Sequence, residues 1–376
     1  MWLVLAVGGV LVVLTGWLPR AQAYDVAVER ALPVLGFLVA ITILADLAEK
    51  AGVFDAAARV AARLARGSTL RLFLLIAALG VLTTVGMSLD TTAVLLTPVV
   101  LTVTDKLGLR PMPFALLVVW LANTASLLLP VSNLTNLLAI SRLDMHPTQF
   151  LARMALPELA CVLVTVFYLW LIHRRDLRGS FDPPEHVPPP NRWTFRICAL
   201  ACLALAPGVV AGLEPWVVAV PCALAAVTVF AVRTPSVLGF WLLPWRIVLL
   251  TEGLFLVVTA LTLHGGRDLI EHLAGQSTLA TVITAAGASN LVNNLPAYLA
   301  VESAVPPGHT TQLLGALIGT NAGPLVLLWG SLATLLWRER CRQRGVEISA
   351  LRFGLVGLGG LPLILLAGWA TLLVTS

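Results

Sequence analysis

TVITAAGASNLVNNLPAYLA (281–300), continued by LIGTNAGPLVLLWGSLATLLW (317–337), is an apolar stretch that repeatedly breaks off. Between 281 and 336 it is interrupted by Ser289, Asn290, Asn293, Asn294, Pro296, Asn321, Gly323, Pro324, Gly330, Ser331 and Thr334. A helix in lipid must satisfy its own backbone, so such breaks are tolerated at membrane depth only where protein or a water-filled cavity surrounds them. A matched pair of broken segments in the two halves of a chain points to a transporter's binding site. A second such region lies at 81–138 and carries Ser88, Asp90, Thr91, Asn123, Ser132, Asn133 and Thr135. That pairing decides the fold.

Composition agrees. Hydrophobic residues make up 59% and charged residues 11% of the 376, and mean hydropathy is +0.93. A soluble domain is nearer half apolar and a quarter charged. Apolar runs of about 17–25 residues recur from end to end, each long enough for a hydrocarbon core of about 30 Å. The chain reads as an all-α polytopic membrane protein, with the lipid bilayer as its first partner. The net charge of +5 is no nucleic-acid signal, because the arginines sit in short loops where they set topology. Cys161, Cys198, Cys202, Cys222 and Cys341 show no metal spacing beyond one i,i+4 pair, and small packing residues are the preferred reading.

Spans are expected at 2–18, 32–49, 112–138, 148–172, 197–213, 216–232, 245–263, 310–336 and 353–374. The first ends before Ala21-Gln22-Ala23, which resembles a signal-peptidase site; no Lys or Arg precedes it, so it is read as a retained span. VFDAAARVAARLARG (53–67) and RDLIEHLAG (267–275) read as amphipathic interfacial helices. Residues 70–104 and 277–304 read as re-entrant hairpins, and 173–196 as a cytoplasmic linker. With the N-terminus inside and the C-terminus outside, nineteen Lys and Arg residues fall in the cytoplasm and five outside. The first hairpin then opens inward and the second outward.

The halves, 1–172 and 197–376, read as inverted repeats. Asn123 aligns with Asn321 at an offset of 198, which also sets Ser132–Asn136 against Gly330–Thr334. Each repeat is expected to contain a re-entrant hairpin and a broken transmembrane helix. Asp90 falls near the counterpart of Asn293-Asn294, with Asn294 as its neutral equivalent.

The runs LANTASLLLPVSNLTNLLAI (121–140), SNLVNNLPAYL (289–299) and GSLATLLW (330–337) resemble the arsenite/antimonite efflux permeases of the ion transporter superfamily, which also holds sodium-coupled dicarboxylate and citrate symporters. The resemblance covers the chain from about residue 30. It implies a scaffold plus a transport part, with oppositely directed hairpins whose tips hold the substrate. Two departures stand out. The arsenite branch carries acidic residues where this chain has Asn123 and Asn321, and this chain is one span short near its N-terminus.

Half-helix N-termini favour anions or neutral oxyacids, while unwound carbonyls and Asn, Ser and Thr oxygens favour a hard cation. Ser88, Asp90, Thr91, Asn123, Ser132, Asn133 and Thr135 are the candidates for one half-site, and Ser289, Asn290, Asn293, Asn294, Asn321, Ser331 and Thr334 for the other. Asp90 and Glu252 are the candidates for coupling, since an ionisable group at membrane depth is costly. Glu252 has a plainer alternative in a snorkelling pair with Arg246, and Glu158 is expected to reach water near its span's outer end.

The leading functional expectation is a secondary transporter in a bacterial cytoplasmic membrane that exports arsenite or antimonite against protons. The substrate would be a small inorganic oxyacid or anion. A sodium-coupled carboxylate transporter is the first alternative, although no Arg or Lys falls inside a break to hold a dianion. A membrane subunit energised by a soluble ATPase is the second; no GxxxxGK[ST] occurs in the chain itself. A homodimer is an open partner. No cofactor beyond a coupling H+ or Na+ is expected, nor an enzyme.

Overall fold

The computed structural model describes residues 2–182, 191–275 and 277–375, and its regular elements are helices. The proline-rich part of the expected linker, 183–190, lies outside the described residues. In the first half, α1 (Trp2–Leu14) precedes α2 (Arg20–Tyr24), which runs through a π-helical segment (Asp25–Ala31) into α3 (Leu32–Lys50). The amphipathic helix α4 (Val53–Leu64) buries Phe54, Ala58, Ala61 and Ala62 and leaves Arg63 exposed. Then α5 (Thr69–Gly86) meets a return arm made of α6 (Leu89–Thr91), a π segment (Thr92–Leu96) and α7 (Thr97–Lys106). After α8 (Pro111–Thr124) the chain unwinds, resumes as α9 (Leu134–Leu143) and returns as α10 (Pro147–His173).

The second half adds α11 (Arg192–Val210) and α12 (Pro215–Arg233), then repeats the plan. Its elements are α13 (Trp245–Leu261), α14 (Arg267–Ala274), the hairpin α15 (Thr278–Val292) and α16 (Asn294–Ala304), the broken pair α17 (Thr310–Ala322) and α18 (Leu332–Gln343), and α19 (Ala350–Thr375). Seven helices among the described residues are long and apolar enough to cross a membrane. The architecture is two inverted repeats, each with a re-entrant hairpin and a broken helix. The offset of 198 is kept where the broken helices stop, at Thr124 and Ala322, and where they restart, at Leu134 and Leu332.

The hairpin tips follow a different register. Ser88 (φ 153°) caps α6 and Asn293 (φ 90°) caps α16, both in the positive-φ region that side chains rarely adopt. Counted from these caps, the residue opposite Asp90 is Leu295, not Asn294. The asymmetry between the tips is therefore carboxylate against an apolar side chain.

Small residues set how closely these pieces approach. Gly315, Gly319 and Gly323 recur every fourth residue and seat α17 on α15; a Cβ at 319 would lie 2.4 Å from the Val282 carbonyl oxygen. In lipid, where apolar tails compete equally well for side chains, such backbone contact drives helix association. The flanking helices cross over. α1 lies along α13, with Gly9 against Gly253, while α11 and α12 pack on α3. The first half's missing span is thus a difference in padding: one helix covers α13 and two cover α3.

Loops gather on two faces. On one, Arg110 pairs with Asp176, the Arg344 guanidinium donates to Thr102 Oγ1 (2.7 Å), and Thr69 N–H donates to the Gly179 carbonyl (3.2 Å). On the other, Thr375 Oγ1 donates to the Arg153 carbonyl (2.8 Å). The open end of the first hairpin lies on the Arg110–Asp176 face, where Thr69 and Thr102 make these bonds.

Replacing Gly319 by Leu should overpack the α15–α17 seam by about 1–3 kcal/mol. Thermal unfolding in detergent should show the loss, whereas Gly287→Ala, inside α15 where nothing lies within 4 Å, should hold or raise the midpoint.

Candidate functional site

Four helix N-termini meet at the centre of the molecule. The cavity there, about 40 Å3, is lined by Leu89 and Asp90 of the first hairpin tip and by Asn293, Asn294 and Leu295 of the second. Asn133 and Leu134 at the start of α9, Leu332 at the start of α18, and Leu250, Thr251 and Leu254 of α13 complete it. Each N-terminus brings partial positive charge and backbone N–H groups without helical partners. Three are capped by their own side chains: Ser88 accepts from Thr91 N–H (3.2 Å), Asn133 from Thr135 N–H (3.3 Å) and Ser331 from Thr334 N–H (3.1 Å). The fourth is open, because Asn293 turns its amide away and donates to the Trp329 carbonyl (3.1 Å).

Asp90 answers that charge. Its Oδ1 is buried and has no hydrogen-bond partner among the described residues. The same residue lines an adjoining cavity of about 60 Å3 with Ser88, Thr91, Thr42 and Asp46, along the face of α3. A buried polar atom left unpaired costs about 1–3 kcal/mol, more if charged, which sets the Asp90 carboxyl apart among the residues lining this cavity.

The remaining polar residues are spent on the breaks. Asn321 Nδ2 donates to Asn136 Oδ1 (2.8 Å) and to the Ser126 carbonyl (3.2 Å), while its Oδ1 accepts from Thr135 Oγ1 (2.7 Å). The symmetry-related contact runs from Asn123 Nδ2 to Thr334 Oγ1 (3.4 Å). These two bonds are related by the 198 offset, so each broken helix reaches the other repeat's restart. They are not equal: Asn123 Oδ1 has no partner among the described residues. Asn136 Nδ2 also donates to the carbonyls of Ser126 and Leu129, both at 2.8 Å. Asn290 Oδ1 accepts from Val326 and Leu327 N–H (3.1 and 3.0 Å) and its Nδ2 donates to the Gly323 carbonyl (2.8 Å). Ser132 and Ser289 hydroxyls donate to the carbonyls of Val85 and Ala286.

The expected site thus divides. Ser88, Asp90, Thr91, Asn133, Asn293 and Asn294 line the two cavities, whereas Asn123, Ser132, Thr135, Ser289, Asn290, Asn321, Ser331 and Thr334 hold the surrounding backbone. Glu252 lines neither cavity; one of its oxygens is buried without a partner among the described residues, and no pair with Arg246 forms, that guanidinium lying over the Trp245 ring at 5.2 Å. Glu158 does not reach water. It is 4% exposed and accepts from Leu127 N–H (2.9 Å). Sequence reasoning missed Ser126, Asn136 and Thr251; the first two lay within the quoted 121–140 run, and Thr251 had no polar neighbour but Glu252 to mark it. No group of three or more His, Cys, Asp or Glu side chains among the described residues could hold a metal ion.

A family model described as a citrate transporter matches residues 1–333. The chain belongs to the citrate transporter (CitMHS) family. An arsenical pump membrane protein of Escherichia coli is 28% identical over 343 residues, covering 83% of this chain and 79% of the relative. A 46 kDa membrane protein of Mycobacterium leprae is 26% identical over 383 residues, covering 91% and 87%. In fold, the chain matches the crystal structure of the YdaH transporter of Alcanivorax borkumensis, whose topology is described as unusual, with a TM-score of 0.56 at 16% identity over 92% of this chain and 85% of that one. The protein is a membrane transporter, not an enzyme.

Asn321→Ala should cost more stability than Asn123→Ala. The first strands Asn136 and Thr135 together, a loss of about 1–3 kcal/mol for each buried group left unpaired, while Asn123 already holds one idle oxygen. Equal shifts of the detergent melting point would contradict the asymmetry.

Proposed function

We propose that this transporter exports arsenite or antimonite, as the neutral trihydroxide, in exchange for protons, with the substrate bound between the two hairpin tips. The cavity at the four helix N-termini carries this reading. Its N–H groups and Asn amides suit the oxygens of a small oxyacid, and Asp90 suits its O–H donors. A volume of about 40 Å3 holds a few water-sized groups. Similarity to arsenical pump membrane proteins supports the substrate class. Asp90 is the proposed coupling residue, and Ser88, Thr91, Asn133, Asn293 and Asn294 the proposed substrate contacts. Glu252 is left as a coupling candidate without a cavity.

In the proposed orientation the Arg110–Asp176 face is cytoplasmic, with the N-terminus inside and the C-terminus outside, and the repeats are 1–172 and 197–376 around a cytoplasmic linker. The basic loops 173–196 and 338–352 are where a soluble ATPase would dock; a homodimer has no contact to argue from.

The family description, a citrate transporter, favours a second reading in which the substrate is citrate or another carboxylate, and sodium is the coupling ion proposed with it. Against it, no Lys or Arg lines either cavity among the described residues.

Everted vesicles decide between them. With an imposed pH gradient they should accumulate radiolabelled arsenite, and Asp90→Asn should reduce accumulation by roughly 5–150-fold, the span of a typical coupling free energy. Sodium-dependent citrate uptake without arsenite accumulation would overturn the first reading in favour of the second.

A further inference from the structure

The two unwound segments present the same physical problem and solve it differently. After α17, the free N–H groups of Val326 and Leu327 are taken by the Asn290 side chain, a neutral amide reaching across from the hairpin arm α15. After α8, the N–H of Leu127, at the same break in the first repeat, is taken by Glu158 Oε2 at 2.9 Å, from a helix that is not part of the hairpin. Glu158 follows Pro157, which removes one helical N–H and its bond from α10 at this depth. Its side chain is 4% exposed, and no Lys, Arg or His pairs with it among the described residues.

The strand it grips is the one that completes the site. Ser126, next to Leu127, gives its carbonyl to both Asn136 and Asn321, and Asn133 at the far end lines the central cavity. Anything that loosens Glu158's hold therefore reaches the cross-repeat bond at the adjacent Ser126, and the α9 N-cap Asn133 six residues beyond Leu127.

We propose that Glu158 is a positioning residue that makes the first repeat's unwound segment responsive to protonation while the second repeat's segment, held by Asn290, stays indifferent. As a carboxylate it accepts the Leu127 N–H in a charge-assisted bond. As a neutral acid it keeps one carbonyl oxygen for the strand and must place an O–H, so the grip weakens. The proton binds and leaves at the same oxygen pair, and no other bond is made or broken. Among titratable groups, Cys161 lies one turn along the same helix with its thiol toward the Ile364 carbonyl, 3.6 Å away on α19. On α10 itself the others are Arg153, Tyr168 and His173. Of its packed neighbours, α19 carries only Arg352, the turn Asp176–Arg178 carries Asp176 and Arg178, α8 and α17 carry no Asp, Glu, His, Lys, Arg, Cys or Tyr, and α5 and α11 carry only Arg71, Arg192, Arg196, Cys198 and Cys202. The proposal rests on the transport reading for its purpose, but its test needs no substrate.

Hydrogen exchange of the detergent-purified full chain, corrected at each pH for intrinsic exchange, reads both segments in one experiment. In the wild type, protection at Leu127 should fall by roughly tenfold from alkaline to acidic pH, as a charge-assisted bond gives way to a neutral one, while 326–327 should show no step. Glu158→Gln should abolish the step at Leu127 without unfolding the segment, because the amide oxygen still accepts. Parallel behaviour of the two segments in the wild type, or a step that persists in Glu158→Gln, would overturn the proposal. The wild-type comparison stands even if the variant fails to fold. A null arsenite assay with an intact step would remove the substrate and leave Glu158's role in place.

Discussion

Backbone left unwound in a membrane must find its hydrogen bonds inside the protein, and the centre of this molecule is organised by that requirement. Two segments, after α8 and after α17, each expose several N–H and C=O groups at membrane depth. Asn136, Asn290, Asn321 and Glu158 meet those groups with bonds between 2.8 and 3.2 Å. Asn290 meets the second break from within its own half, and Asn136 and Glu158 meet the first from within theirs, while Asn321 adds a bond across the repeats to the Ser126 carbonyl and Asn123 one to the Thr334 hydroxyl. The site exists only when the two are assembled.

That assembly explains why the cavity has its chemistry. Four half-helices begin at one point because both hairpins turn there and both broken helices restart there. Their summed partial charge is positive, and the one carboxylate set among them belongs to the first repeat. Its register counterpart, Leu295, is apolar. A symmetric scaffold thus carries an asymmetric charge.

Much of this was readable before any coordinates. The positions of the polar breaks gave the inverted repeats, and the 198 offset taken from Asn123 and Asn321 holds at both ends of the broken helices. What could not be read was the work of each polar residue. An Asn that lines a cavity and an Asn that clamps a backbone look alike in sequence, because the difference lies in which way a helix face turns and in which strand passes it. Asn290 and Asn293, three residues apart, illustrate it: the first binds the unwound strand and the second turns the hairpin. Glu158 was misplaced for a related reason. It was expected to reach water near its span's outer end, yet it lies roughly 16 Å along a 27-residue helix, beside the break after α8.

The central claim is that substrate sits where the two hairpin tips and the two restarted helices converge. Antimony scatters strongly enough to be located directly, so a structure of the chain with bound antimonite is the most direct measurement. The account predicts a single dominant density peak bounded by Asp90, Asn133, Asn293 and Asn294, lost when Asp90 is replaced by Asn. A peak lying elsewhere, such as beside Glu252 or among Cys198, Cys202 and Cys222, would contradict it.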